Sequence, residues 1–288
     1  MLPRRRVATA LLLASGLLLM AVLPGSAVDV VRMQLGTLDG AGWSAEAVSV
    51  QLNWLDDGYA GLLLSTQHVE LPEGLGELSG VSLSCARARL TTTAASCAQG
   101  ILKARSSVLG PQNIQTRFSY QFDSGNIEVG LSGARVLDGT LTLTASLSGT
   151  LWQINASAED LSLPDATRQL AAAGIALPVV DGNGQLDITA NMSGVAAQLN
   201  EANIDTQLRA EEISDADGSV AGENLDISLH AVVKRGNDGL QVVLELEGRQ
   251  GALYVEPVFI EMPSQPVTLN ARFDWLSAKQ QLLLQSFR

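Results

Sequence analysis

Few side chains in this sequence are equipped for chemistry. It holds two His, two Cys, and 30 acidic against 18 basic residues. His68 and His230 both fall inside alternating, strand-like stretches, with no Ser, Cys or acid at a spacing that suggests a nucleophile and its base. A Gly-x-Ser-x-Gly elbow, a phosphate-binding loop and a dinucleotide fingerprint are all absent from the sequence. Asp181-Gly182-Asn183-Gly184 and Asp215-Ala216-Asp217-Gly218 resemble pieces of calcium loops. Neither carries the later Glu of an EF-hand, and Asp-Gly and Asn-Gly are what hairpin turns select. An enzyme is not expected, nor a cofactor, nor a metal site. The remaining candidates for chemistry are Cys85 and Cys97. A hairpin with its midpoint near Thr91 would set Cys85 opposite Cys97, and an even thiol count in an oxidising compartment predicts one structural disulfide.

The formal net charge of −12 argues against a phosphate-backbone partner, so nucleic-acid binding is not expected. Residues 1–27 read as an address. Arg4, Arg5 and Arg6 precede an apolar or small run from Val7 to Leu23, and Pro24 and Gly25 end it. Gly25-Ser26-Ala27 offers small residues for signal-peptide cleavage, while the length of the run also suits an inner-membrane anchor. Both readings stand. Either sends residues 28–288 to the periplasm, as one β-domain with a subdivision near 164–184.

Beyond the leader, the dominant signal is period-two alternation. In Thr140–Leu147, the residues Leu141, Leu143 and Leu147 share a face; in Gln185–Met192, Leu186, Ile188 and Met192 do. Leu225, Ile227 and Leu229 repeat the pattern, as do Val242, Leu244 and Leu246. One apolar side and one wet side is the signature of antiparallel strands. Asp123–Asn126, Asp138-Gly139, Asp181–Gly184, Asp217-Gly218 and Gly236–Gly239 are expected to be turns. The spacing gives about sixteen candidate strands in an all-β meander, mainly antiparallel and twisted. The exception is Pro164–Gly174, where Pro near the start, Ala-rich content and a final Gly predict a short helix that packs on, or plugs, the sheet.

The apolar face is aliphatic: hydrophobic residues make up 46% of the chain, but only five Phe, four Trp and three Tyr occur. Two sheets could cover one another. Alternatively, one sheet could curl into an apolar groove that takes lipid tails. A tail of about a dozen methylenes meets a barrier on the order of 10 kcal/mol in crossing water, at ~0.8 kcal/mol per CH₂. An aliphatic groove removes that barrier without holding the tail much more tightly than a bilayer does.

The cadence Leu131-Ser132-Gly133-Ala134-Arg135-Val136-Leu137-Asp138-Gly139-Thr140-Leu141 recurs in kind at Gly182–Leu186, Gly222–Asp226 and Gly251–Pro257. With the basic, apolar leader and the Pro-bounded helix, it resembles the AsmA-like superfamily of bacterial intermembrane lipid-transport proteins, which includes TamB and YdbH. The resemblance implies a β-groove carrying phospholipids between inner and outer membranes. It also implies lipid contacts at Leu186, Ile188, Met192, Leu225, Ile227, Leu229, Leu244 and Leu246; Leu141, Leu143, Leu147 and Val242 extend the same face. About sixteen strands would make a groove of only ~75 Å. The strand-like Gln280–Gln285 lies just before Arg288, where an exposed edge invites a protein partner. A second reading is a non-transporting periplasmic scaffold resembling the N component of type II secretion, on the strength of Gly42-Trp43-Ser44-Ala45.

Overall fold

The computed structural model describes residues 29–39, 43–55, 58–71, 76–172, 177–236, 239–262, 266–276 and 281–288. The leader (1–27), the end of the expected helix (173–174) and residues 237–238 of the expected Gly236–Gly239 turn lie outside them.

Seventeen strands form one sheet, with a single short helix among the described residues. In chain order the strands are β1 (Val30–Asp39), β2 (Ser44–Trp54), β3 (Tyr59–Glu70), β4 (Glu77–Leu90), β5 (Ala94–Ser106) and β6 (Gly110–Gln121). They continue through β7 (Ile127–Val136), β8 (Gly139–Ser148) and β9 (Leu151–Ser162) to α1 (Leu163–Ala172). After it come β10 (Val180–Gly182), β11 (Gln185–Val195), β12 (Gln198–Asp215), β13 (Val220–Arg235) and β14 (Gly239–Val255). β15 (Val258–Glu261), β16 (Val267–Leu276) and β17 (Gln281–Phe287) complete it. Each described pairing is antiparallel, and nearly all join successive strands. Across α1 the ladder does not break, because β9 pairs directly with β11. β10 and β15 are short and lie end-on to β11 and β16, against β12 and β14. The sheet is therefore fifteen strands wide, about 67 Å at ~4.8 Å per strand, and open.

Turn chemistry places the hairpins. Asp215 is the clearest case: its carboxylate accepts from the Val220 amide at 3.0 Å and from the Ser219 hydroxyl, closing β12 onto β13. These bonds, the Ser219 hydroxyl first, hold the Asp215 carboxyl below its ordinary value. Thr91 does the same work between β4 and β5, its Oγ1 accepting from the Ala94 amide at 2.9 Å. Asp181–Gly184 differs from expectation. It is not a hairpin turn but a jog by which the chain steps from β10 into β11, both on the same side of β12. Asn183 secures the jog: its Oδ1 accepts from the Glu212 amide at 3.0 Å, and its Nδ2 donates to the Glu211 carboxylate at 3.0 Å. Gly182 has φ of 118°, and a Cβ there would lie 2.1 Å from the Glu212 carbonyl oxygen. That approach excludes any side chain.

The strands are interrupted by bulges rather than being straight. Register shifts fall beside Gly80, Gly133, Asp160 and Asn224, all with positive φ. Each bulge bends its strand and raises the local twist, which lets so broad a sheet curl instead of lying flat. Asp160 shows how a non-glycine residue is held there: its amide donates to Asp187 Oδ1 of β11 at 2.9 Å.

α1 begins where the Ser162 hydroxyl accepts from the Asp165 amide at 3.3 Å, an N-cap with Pro164 in the first turn. Leu163 enters a cluster with Ala210, Ile213 and Leu225, and the Val180 amide donates to Thr167 Oγ1 at 3.3 Å. The helix thus packs along one margin of the sheet, at the strand ends.

Candidate functional site

Residues directly opposite in an antiparallel pair point to the same side, so the registers fix what each face carries. One row crosses the whole sheet: Val31, Leu52, Leu62, Cys85, Gly100, Thr116, Leu131, Leu143, Ala156, Ala190, Ile204, Ala231, Leu244, Ala271 and Phe287. A second row joins Leu141, Ala158, Ile188, Thr206, Leu229, Leu246 and Leu269. A third joins Val129, Ala145, Ile154, Met192, Ala202, Val233, Val242, Phe273 and Leu284. Leu186 and Ile227 flank Leu208, and Leu147 stands opposite Trp152. All twelve aliphatic residues singled out from the sequence therefore lie on one face.

Among the described residues, no second sheet covers this face. Half of the buried hydrophobic residues are Ala, and Ile114, Leu161, Ile213 and Leu225 are the only Leu or Ile among those described. The larger aliphatics are left half-buried by their neighbours within the sheet, Leu141, Leu143, Leu186, Ile188, Ile227, Leu229, Leu244 and Leu246 included. Met192 and Val242 are the same, and Leu147 is 37% exposed. Leu225 is the exception at 3%, closed in by Ala210, Ile213, Leu163, Leu253 and Met262. The structure adds Ile154, Ile204, Val233, Leu269 and Phe273 to the wall. Their strands carry polar or acidic residues close by and alternate less cleanly, so pattern alone passes them over.

The disulfide sits in this wall. Cys85 and Cys97 are joined, and with Ala88 they form a buried cluster against Leu62 and Phe118. The register differs from a direct cross-strand pair: Cys85 faces Gly100 and Arg89 faces Ser96, so the β4–β5 turn centres between Thr92 and Thr93 rather than at Thr91, and Cys97 falls short of the position opposite Cys85. Gly100 makes the diagonal bridge feasible. A Cβ there would lie 3.1 Å from Cys97 Sγ and 3.0 Å from Thr116 Cγ2.

The opposite face is polar. His230 Nδ1 lies 2.7 Å from Asp205 Oδ1 across the β12–β13 pair, Glu245 follows on β14, and Arg209 binds Asp187 nearby. Asp187 is half-buried and the others are exposed, and together they line a shallow cleft of about 380 Å³. His230 thus occupies the wet face, as its place in the alternation implies. No group of three or more His, Cys, Asp or Glu among the described residues is placed to hold a metal ion, and no described helix is long and apolar enough to cross a membrane.

Charge is segregated along the stack. β11–β14 carry ten acidic and four basic residues. From Leu78 to Phe122, by contrast, there is no Asp or Glu, while Arg87, Arg89, Lys103, Arg105 and Arg117 are all present. The overall charge of −12 conceals this patch; an acid-free run of that length is its readable signal. No protein-family model, no curated protein and no solved structure matches the chain.

Proposed function

We propose that the protein is a periplasmic lipid-binding conduit, taking part in phospholipid transport between the inner and outer membranes in the manner of the AsmA-like proteins it resembles. The observation that carries this reading is the apolar wall, fifteen strands wide, whose large aliphatic side chains have no covering layer among the described residues. Left in water, such a wall is costly, at ~25 cal/mol per Å². Acyl chains offset that cost without needing any specific polar contact, and a tail can pass from one row of Leu, Ile and Val to the next with little change in surroundings. Weak, uniform holding is what transit requires, and it needs no catalytic group. The leader would tie the inner end to the inner membrane, whether for good or only until cleavage. β17 pairs with β16 and is exposed along its length, with Leu282 and Leu284 continuing the apolar rows. A partner strand added there would lengthen the wall.

Native mass spectrometry of protein extracted gently from membranes tests the reading. Phospholipid bound in stoichiometric amounts supports the conduit. Lipid-free, compact protein that Leu186→Asp or Ile227→Asp unfolds outright contradicts it and favours a scaffold resembling the secretion component, whose apolar face is closed by another protein.

A further inference from the structure

The basic patch lies on the other face of the sheet from the apolar wall. Lys103 stands opposite Ser82 and Asn113, Arg105 opposite Ser79 and Pro111, and Arg89 opposite Tyr59 and Ser96. Arg117 stands opposite Gly130, whose missing side chain leaves room for it: a Cβ there would lie 2.7 Å from Arg117 Nε. These four side chains are exposed and make no ion pair among the described residues. Acids lie at the margins of the patch: Glu128 of β7 shares a cleft of about 340 Å³ with Arg117, and Glu77, opposite Glu70, begins β4 two residues before Ser79. Two aliphatic side chains break the polarity of this outer face at its centre. Leu63 and Ile101 flank Ser84 from either side and are 41% and 44% exposed.

Unpaired cations around exposed aliphatic side chains, on a face whose acids lie only at its margins, match an anionic lipid interface. We propose that the outer face of β3–β6 docks on an anionic phospholipid surface, through Arg89, Lys103, Arg105 and Arg117 with Leu63 and Ile101 between them. The same surface repels β11–β14, with their ten acids, so one bilayer both attracts the first third of the sheet and turns the remainder away. Charge segregation thereby sets an orientation as well as a contact. The sequence order agrees: the apolar run Val7–Leu23 precedes β1 and would keep these early strands near a membrane. An acidic protein segment could satisfy the cations, but it gives no reason for two isolated aliphatic side chains to stand out on a polar face. Docking here does not depend on whether the opposite wall carries lipid tails.

Lysine acylation reads the contact directly. The chain has only Lys103, Lys234 and Lys279; Lys103 lies in the patch, and Lys234 in the acidic half is ion-paired with Glu201. The full chain is reconstituted in phosphatidylglycerol-containing vesicles or in pure phosphatidylcholine vesicles, and acylation rates are followed by peptide mass spectrometry. Phosphatidylglycerol should slow Lys103 several-fold while leaving Lys234 unchanged, and molar salt should abolish the difference, since the Debye length then falls to ~3 Å. Arg89→Gln with Arg105→Gln should weaken the anionic-lipid-dependent component of binding about thirtyfold. Arg89→Lys with Arg105→Lys should preserve it. Equal Lys103 rates in the two lipids would overturn the proposal, as would protection that persists in molar salt or that follows an acidic co-purifying protein in the absence of lipid. Phospholipid co-purifying with the chain would be unaffected by any of these failures.

Discussion

Leu225 and Leu229 lie on the same face of β13, four residues apart, and they separate a closed core from an open wall. Leu225 is 3% exposed beneath Leu163, Leu253 and Met262. Truncating it to Ala removes three carbons and leaves a lined cavity, which costs about 3–4 kcal/mol. Leu229 is half-buried, supported by Thr206 and Leu246 on either side, with nothing layered above it among the described residues. Leu229→Ala removes the same carbons from a site already open on one side. Only part of the transfer term of ~0.8 kcal/mol per carbon is lost and no cavity forms, so the cost is about 1–2 kcal/mol. In a meander each strand touches mainly its two neighbours, so one global unfolding midpoint would blur the comparison. Amide hydrogen exchange along β12–β14 in delipidated protein, read for each variant, avoids that difficulty. Equal losses of protection for the two variants, both near the larger value, would refute the reasoning, because Leu229 would then be enclosed by something the sheet itself does not supply. Adding phospholipid back should widen the gap for Leu229→Ala and leave Leu225→Ala unchanged, since ligand stabilisation acts where the ligand sits.

Three other consequences are open to measurement. Replacing both Cys85 and Cys97 with Ala should destabilise β4–β5 by about 3 kcal/mol through the 12-residue separation they span, seen as a lower urea midpoint that reducing agent reproduces in the native chain. Gly100→Val should cost about 1–3 kcal/mol by overpacking against Cys97 Sγ and Thr116 Cγ2; unchanged thermal stability would show that the bridge does not use the space Gly100 leaves. Because the Asp215 carboxyl is held below its ordinary value of 3.8, its contribution to the β12–β13 turn is whole above that value and is lost as pH falls through the lower folded value. Exchange at the Val220 amide, corrected for its intrinsic pH dependence, should therefore lose protection on acidification. In Asp215→Asn that acid-dependent loss should vanish.

Much of the architecture can be read from alternation. Strands such as Gln185–Val195, where Leu186, Ile188, Ala190 and Met192 share one side, state their face without reference to the rest of the chain, because the strand period is two. Asp-Gly and Ser/Asp-rich turns fix most hairpins for equally local reasons. Three features lie beyond that reading. Asp181–Gly184 has hairpin chemistry, yet it forms a jog because α1 occupies the place where a returning strand would pair, and Gly182 is drawn close to the β12 backbone. The cysteines are paired as their count implies, but the β4–β5 turn centres between Thr92 and Thr93, which moves the bridge off the direct register, and the Thr-rich run does not mark the centre of its own turn. Leu225 has the same alternation as Ile227 and Leu229, and only tertiary packing of Leu163 and Met262 sets it apart. For the candidate site, the sequence names the face but not its coverage. Alternation looks the same whether the apolar side meets another sheet or nothing, and the half-burial of residues such as Leu244 and Leu246 separates the two cases.

The central claim is that hydrocarbon occupies the apolar wall, and adjacent residues of β13 test it most directly. A photoreactive phenylalanine analogue placed at Leu229 projects from the wall, and one at His230 projects from the opposite, wet face. Irradiated in native membranes, the chain substituted at Leu229 should form phospholipid adducts detectable by mass spectrometry, and the chain substituted at His230 should not. Adducts to protein alone at Leu229, or equal lipid labelling from both positions, would contradict the account.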